Sequence, residues 1–572
     1  MQTENSPPTI TADGKPAAAG QAPAFAAWAL GIAAALFGAG LCVNATPHCD
    51  LFWQLRAGHD ILTSHAIPHA DAYSYTRHGA AWVAHEWLAF ALFALAYAKA
   101  GFGGVWVVEA LLVAATCAIL YGNALREMRA PIPAFALTLV AELVCAPLLQ
   151  ARPHLFTYFG LAATCAVISV ARASNPRNVY WLVPLFVLWA NLHAGVVVGV
   201  AVLAVLAGSD WLQGRLGGGD AAQRRESARH LAVAAALAGL ATLATPYSWH
   251  VYQNIGATLG NGIAMDNVAE WKSPNFHLQD GRILEVFLGI VVCALIASRE
   301  RRTLADIVLI AFFAHESLAA LRNAPLLAIV GVSIAGRHVM SCLRLLLSRA
   351  ERDESQSLFL SSRPPAFAAL ALVALVVMVS GMRAQRVVLL SPSRGAASGA
   401  DAIARASFSV AAFPEGACRF VERESFPTTM RMYNSYDDGG YLIWRLPQFP
   451  VYADGRADLY FGPPLERIQA LTRKMPWDWS AKVAQGTPDG ALPDFALLGT
   501  DQSQTRLFLE SPNWALVYAD SPDLDTQNDQ VNNTLIFVRR TAASARLVQQ
   551  CRAECPAVDA IRAAYPGYSA AQ

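Results

Sequence analysis

The chain has 572 residues, 55% of them hydrophobic and 15% charged, with 43 basic against 42 acidic side chains and a formal net charge of +1. Soluble domains run near a quarter charged, so this composition excludes an ordinary soluble enzyme and a disordered chain. The absence of a basic excess excludes a nucleic-acid binder. The first 22 residues are polar and Pro/Ala-rich, without the charge-then-apolar order of a signal peptide. They read as a disordered cytoplasmic tail ahead of an uncleaved first span.

Runs long enough to cross a bilayer need about 17–25 apolar residues. They fall near Phe25–Val43, Val105–Leu125, Ile132–Leu149, Leu155–Val170, Val179–Leu192, Val196–Leu212, Leu231–Thr245, Ile283–Ala297, Leu304–Leu321, Pro325–Leu343 and Phe367–Met382. The run Trp87–Ala100 is short enough to be interfacial or half-inserted instead.

Charge decides between the two. Arg126/Arg129, Arg172/Arg177, Arg215/Arg224/Arg225/Arg229, Arg299/Arg301/Arg302 and Arg344/Arg349/Arg352/Arg363 fall in alternate loops. The other loops hold Arg56, Arg77, Arg152, Lys272, Arg282 and Arg322. Basic loops favour the cytoplasm, which holds throughout if Trp87–Ala100 does not cross. The expectation is an α-helical polytopic membrane protein of about 11 spans, with 12 or 13 as alternatives. Its membrane domain covers residues 23–383, with a first external loop at 44–104. Residues 384–572 are too polar to span. Phe495–Gly499, Ala515–Tyr518 and Thr534–Val538 read as buried strands of a compact external α/β domain.

Cys49, Cys418, Cys551 and Cys555 lie in polar sequence and form an even set for an oxidising compartment, with no pairing selected by spacing. The remaining cysteines read as small core residues. Glu109 and Glu142, inside spans, read as neutral carboxyls between helices.

This topology gathers the unexplained polar residues at one face. Asp50 closely follows the first span and opens an amphipathic stretch with Leu51, Phe52, Leu55, Ile61 and Leu62. A carboxylate there can act as general base toward an acceptor hydroxyl or amine. The alternative is a helix N-cap for Leu51 onward. Arg56 can pair with Asp50 or bind phosphate. Arg152 and Arg322 each end an apolar run, and a guanidinium fork there suits a lipid-linked phosphate or snorkels to headgroups. His85, Glu86, His154 and His193 are candidate site-lining groups and metal ligands. The spacing is not a zincin motif, and hydrogen-bonded structural imidazoles are the ordinary reading. Asn191, Glu270 and Asn323 complete the external-face set.

In the tail, Asp437-Asp438-Gly439-Gly440 reads as a turn entering a strand. Asp438, Asp454, Arg456 and Asp458 are candidates for a ligand surface or a divalent-cation site, although the spacing is not an EF-hand loop.

Several motifs occur together: Asp50-Leu-Phe-Trp-x-Leu-x-x-Gly58, Pro68-x-x-Asp71-x-x-Ser74-Tyr-Thr76, Trp82-x-x-His85-Glu86-Trp87, Arg152-Pro153, Trp189-Ala-Asn191-Leu-His193, Glu270-Trp271, Arg322-Asn323, Gly439-Gly440-Tyr441-Leu-Ile-Trp444 and Asp454-Gly455-Arg456. Together they resemble a group of bacterial multi-pass membrane proteins similar to the C-type glycosyltransferase superfamily, which uses polyprenyl-phosphate sugars. The resemblance implies an acidic first-loop residue at Asp50, with Leu-Phe-Trp in place of the Asp-Glu pair that many members carry. It implies an inner-membrane enzyme with a cytoplasmic N-terminus and a periplasmic C-terminal domain. That enzyme would move a sugar from a polyprenyl-phosphate donor to a glycan, lipid or protein acceptor of the envelope. Asp50 would be catalytic, while Arg152, Arg322 and Arg56 would hold the donor phosphate. A divalent cation is compatible with this set and not required by it. The alternative is a non-catalytic envelope protein that binds glycan or lipid or acts as a scaffold. An ion-coupled transporter fits less well, because the ionisable residues sit at one face and no inverted repeat appears.

Overall fold

The computed structural model describes residues 22–42, 47–217, 220–260, 269–349, 413–473, 479–500, 502–520 and 533–552, with a few isolated positions between them. The N-terminal tail, the run Phe367–Met382 and Cys555 lie outside the described residues.

The membrane unit is a helical bundle. Among the described residues, five helical segments are long and apolar enough to cross a bilayer: Trp87–Met128, Pro131–Leu148, His154–Ala173, Val196–Leu216 and Leu321–Leu346. A shorter apolar helix covers Phe25–Leu41. Helices meet through small side chains: Ala26, Ala33, Ala34, Ala124, Ala134 and Ala162 are fully buried, which lets backbones approach closely. The outer surface is apolar, with Leu111 66% and Ile296 73% exposed, as a lipid-facing surface requires.

The segment Trp87–Met128 is two helices joined at a break, where Ala100 (φ −146°) and Gly101 (φ +59°) leave helical geometry. The first piece, Trp87 to Ala100, is about 21 Å long at 1.5 Å per residue, short of a ~30 Å hydrocarbon core. It packs on the amphipathic helix Asp50–Ser64: Trp53 lies edge-on to Phe90, and Leu51, Leu55, Ala89 and Phe93 share one small core.

The end of the bundle away from Asp50 is held by charge. The helix Leu304–Ala319 begins with a reciprocal cap between Thr303 and Asp306. Asp306 also takes Arg337 at 2.5 Å. Asp210 takes Arg172 at 2.9 Å and Ser227 at 2.7 Å. Arg172 ends the helix that His154 begins, about 27 Å away along the axis.

The C-terminal unit carries a four-stranded sheet in the order β1-β2-β4-β3. These are Met432–Asn434 (β1), Phe495–Gly499 (β2), Trp514–Ala519 (β3) and Thr534–Arg539 (β4). β1 is parallel to β2, and the other pairs are antiparallel. Nearly every strand residue is buried, so the sheet is covered on both faces. The three strands expected from sequence are all present.

The Asp437–Gly440 segment differs from expectation. It lies inside a helix, Tyr436–Arg445, and not in a turn entering a strand. Ser435 caps it by accepting from the Asp438 N–H at 3.1 Å and donating to Asp438 Oδ2 at 2.6 Å. The paired glycines, poor helix formers, are needed by contact. A Cβ on Gly440 would stand 2.7 Å from the Cys49 carbonyl oxygen.

The two units share a core. Phe52 lies 4.7 Å from Phe413 and 4.8 Å from Tyr441, between ring centroids. The first loop also adds a strand-like link: Val451 N–H donates to Tyr73 O at 3.0 Å, and Tyr75 N–H donates to Val451 O at 3.1 Å. Thr76 Oγ1 donates to Tyr452 O at 2.6 Å.

Candidate active site at the bundle end

Asp50 is the first residue of the helix Asp50–Ser64, and the cap position is Cys49, with no side-chain cap hydrogen bond. The N-cap reading therefore fails, and the Asp50 carboxylate faces tertiary partners. Trp53 Nε1–H donates to Oδ1 at 3.1 Å. On Oδ2, Arg152 Nη2 lies at 3.1 Å and His48 Nδ1 at 3.3 Å. Burial alone would raise its pKa. His48, Arg152 and the Trp53 bond outweigh that and hold the carboxyl well below the usual aspartate range.

Arg152 continues the chain. Its Nη1 meets Glu270 Oε1 at 2.5 Å, and His48 Nε2 lies 3.7 Å from the same oxygen. Burial opposes the charge on Arg152, but Asp50 and Glu270 raise its pKa beyond the ordinary arginine value. Burial likewise opposes ionisation of Glu270, and Arg152 and Arg322 overcome it. The 3₁₀ turn Ala269–Trp271 delivers Glu270 and also Trp271, whose ring supports the Arg322 guanidinium at 4.2 Å. Asn323 donates to the Glu316 carbonyl and carboxylate at 3.3 Å, which fixes the turn carrying Arg322. Among the described residues, no carboxylate lies within ion-pair distance of Arg322.

A second group adjoins the first. Glu86 Oε1 lies 3.4 Å from His193 Nε2 and 3.7 Å from His85 Nε2. His85 Nδ1 lies 3.2 Å from the Val83 carbonyl oxygen. Thr157 Oγ1 lies 2.7 Å from His193 Nδ1. His154 Nε2 lies 2.7 Å from the Leu148 carbonyl oxygen, so that imidazole is structural. Asn191 is a brace as well, accepting from Trp87 Nε1–H at 2.9 Å and donating to the Val187 and Ala244 carbonyls at 2.9 Å.

Other candidates have structural partners. Arg56 Nε is bound to Asp60 at 3.0 Å, one turn along its own helix. Six residues from Asp50 is about 240° around a helix, so it does not face the Asp50 partners.

Asp454 and Arg456 do not form a ligand surface. Their side chains are fully buried. Arg456 grips Asp454 through Nε and Nη2, both at 2.8 Å, and reaches Asp71 of the first loop at 2.7 Å. Tyr460 O–H closes on Asp454 at 3.0 Å. Buried charge survives here because it is paired across two segments, and it locks the loop to the C-terminal unit. Asp438 is engaged by the Ser435 cap. Asp458 is partly buried, with Asn254 Nδ2 at 3.5 Å, and burial raises its pKa.

His48, Cys49 and Asp50 bring an imidazole nitrogen, a thiol and a carboxylate within 4.8 Å of one another. The set does not fit a divalent cation. The Arg152 guanidinium already faces Asp50, and burial, with Asp50 next, pushes the Cys49 thiol well above its ordinary pKa. Cys418 is likewise a buried free thiol.

The C-terminal unit completes the site. A Cβ on Gly455 would stand 2.5 Å from Asp50 Oδ1. A cavity of about 220 Å³ lies between the first loop and the C-terminal unit, with Arg77, Tyr452, Tyr460, Arg467 and Gln485 in its wall. Sequence reasoning missed His48, Thr157 and Gly455. The run His48-Cys49-Asp50 at a span end was a usable signal. Thr157 inside an apolar run and Gly455 in a turn-like tripeptide gave none.

No protein-family model and no curated sequence matches the chain. Among solved structures, it resembles the oligosaccharyltransferase AglB of Archaeoglobus fulgidus, solved with an inhibitory peptide and dolichol-phosphate. The TM-score is 0.54 at 11% identity, over 83% of this chain and 69% of that one. It also resembles ArnT of Cupriavidus metallidurans bound to undecaprenyl phosphate. There the TM-score is 0.51 at 13% identity, over 92% of this chain and 99% of that one. The protein therefore has the fold of the C-type glycosyltransferases.

Proposed function

We propose that the protein is an integral membrane glycosyltransferase, moving a sugar from a polyprenyl-phosphate donor to an envelope acceptor at the external face. The observation that carries this is the chain Asp50–Arg152–Glu270 beside Arg322, a guanidinium stacked on Trp271 at the end of a span with no carboxylate in ion-pair distance among the described residues. A cation so placed suits a phosphate monoester or diester at headgroup depth. Two solved proteins of the same fold bind polyprenyl-type phosphates, AglB a dolichol-phosphate and ArnT undecaprenyl phosphate, which supports the donor class.

In this reading the donor enters laterally from the outer leaflet of the bacterial inner membrane. Arg322, with Arg152 behind it, stabilises negative charge that grows on the leaving phosphate. Asp50, held ionised, aligns the acceptor hydroxyl or amine. The periplasmic C-terminal unit covers the site, and the cavity beside Arg77 and Arg467 seats the remainder of the acceptor.

The test is Asp50→Asn in membranes given radiolabelled undecaprenyl-phosphate sugars. Consumption of the lipid-linked sugar is expected to fall about 10²-fold or more, with unchanged protein yield in the membrane. Undiminished consumption overturns the reading.

A further inference from the structure

The carboxylate to which the proposed function gives the aligning role, Asp50, is badly suited to receive the acceptor's proton. Asp50 already accepts from the Trp53 indole N–H and faces the Arg152 guanidinium, which hold it ionised and make it a weak base. Glu86 has a different environment. Its side chain is 14% exposed, and its ion-pair-distance neighbours among the described residues are imidazoles, His193 at 3.4 Å and His85 at 3.7 Å.

The hydrogen bonds behind His193 fix what it presents. Trp189 Nε1–H donates to Thr157 Oγ1 at 3.0 Å, so the Thr157 hydroxyl proton is directed onward to His193 Nδ1 at 2.7 Å. Gly195 N–H donates to the same Nδ1 at 3.0 Å. Nδ1 is therefore the acceptor nitrogen, and the neutral ring carries its proton on Nε2, the nitrogen 3.4 Å from Glu86 Oε1. Gly195 has to be glycine for this, since a Cβ would stand 2.2 Å from Thr157 Oγ1. The arrangement is a carboxylate oriented by an imidazole that is oriented in turn by a hydroxyl and an indole. That is the usual logic of a positioned proton acceptor.

We propose that Glu86 takes the acceptor's proton during glycosyl transfer, with His193 as its positioning residue. This rests on the glycosyltransferase reading above. The acceptor oxygen forms a bond to the anomeric carbon as its O–H bond breaks, and the proton passes to a Glu86 oxygen. The bond from the anomeric carbon to the phosphate oxygen breaks, and its electron pair leaves with the phosphate. Glu86 then returns the proton to water.

The titratable and charged groups facing Glu86 are His85 on its own segment, the neutral His193, Arg152 and Arg322 from other segments, Asp50 from the interfacial helix, and Asp458 from the C-terminal unit. Burial raises the Glu86 pKa, and His85 and Arg152 offset only part of it. A raised carboxyl pKa lies nearer the working pH, where a base is most effective.

Two measurements on the full-length protein test this. The first needs no substrate: an infrared pH titration in detergent, wild type against Glu86→Gln. The wild-type minus Glu86→Gln difference is expected to contain a carboxyl band that titrates above the ordinary glutamate range, and His193→Gln shifts that band. No such band overturns the proposal. The second uses radiolabelled undecaprenyl-phosphate sugars. Glu86→Gln is expected to lower kcat about 10²–10⁴-fold and to abolish the acid limb of the pH profile. The residual activity of Asp50→Asn keeps that limb. Wild-type activity with an unimpaired Glu86→Gln variant overturns Glu86 alone. Inactivity of the wild type with every donor tried strikes at the glycosyltransferase reading, and the infrared result then decides Glu86 separately.

Discussion

Gly455 of the C-terminal unit packs directly on the carboxylate of Asp50, so closely that a methyl group in place of its hydrogen would stand 2.5 Å from Oδ1. Because Asp50 is held by Trp53, Arg152 and His48, it cannot yield without breaking those bonds. Gly455→Ala is expected to lower transfer about 10²-fold through misplacement of the carboxylate by roughly an ångström. Melting of the purified protein should change little. Unimpaired transfer in the variant would show that the C-terminal unit does not shape the site.

The two arginines should separate stability from donor binding. Arg152→Met removes the guanidinium that bridges Asp50 and Glu270, a loss of about 2–3 kcal/mol for partly exposed groups. Arg322→Ala removes the stack on Trp271, roughly 0.5–1 kcal/mol, and the lesser of the two guanidinium charges that favour ionised Glu270. It should weaken binding of radiolabelled undecaprenyl phosphate about tenfold or more. Thermal melting and equilibrium binding on the same preparations check both, and equal effects of the two variants on both readouts would contradict the assignment.

Acid should loosen the join between the first loop and the C-terminal unit. Burial alone raises the pKa of Asp71, but Arg456, Ser74 and the Tyr73 N–H outweigh it, so the folded value lies below the unfolded one. Such a group stabilises the fold above its unfolded pKa, and that contribution is lost as pH falls through the folded value. Limited digestion with pepsin should cut near residues 71–77 or 451–456 increasingly below about pH 4. Arg456→Met should reproduce the loosening at neutral pH, at a cost of about 3–5 kcal/mol. Resistance in both cases would show that the join does not depend on the ion triad.

Chelation should leave activity intact. The guanidinium of Arg152 supplies the positive charge between Asp50 and Glu270, and the Cys49 thiol stays protonated. Treatment with EDTA is expected to change transfer by less than about twofold. Loss restored by added magnesium, manganese or zinc would mean that a cation displaces Arg152 during turnover.

The parts of this molecule that can be read from sequence follow local rules. Asp50 stands out because it opens an amphipathic helix just after a span, and β2 because five buried residues sit between turn signals. What failed depends on contacts distant in sequence. Asp454 and Arg456 look like a solvent-facing charge cluster until Asp71, nearly four hundred residues earlier, is placed against them. Gly439 and Gly440 read as a turn because the backbone that presses on them belongs to Cys49 and Ala453. The Glu270–Arg152 pair joins residues 118 apart, and neither run announces the other.

The backbone link between Tyr73 and Val451 also constrains the bilayer arithmetic. Residues that share hydrogen bonds occupy one side of a membrane, so the chain between them must cross an even number of times. The ten crossings expected from sequence after the first loop would satisfy this, and eleven would not. A crossing by Trp87–Ala100 would therefore have to be matched by a second unanticipated one. The enclosure over Asp50 also cannot be finished until the last third of the polypeptide has been delivered to the face that received residues 47–86 first. A stalled or truncated translocation product would keep Asp50 on its partners in the membrane unit but lack Gly455 packed over its carboxylate.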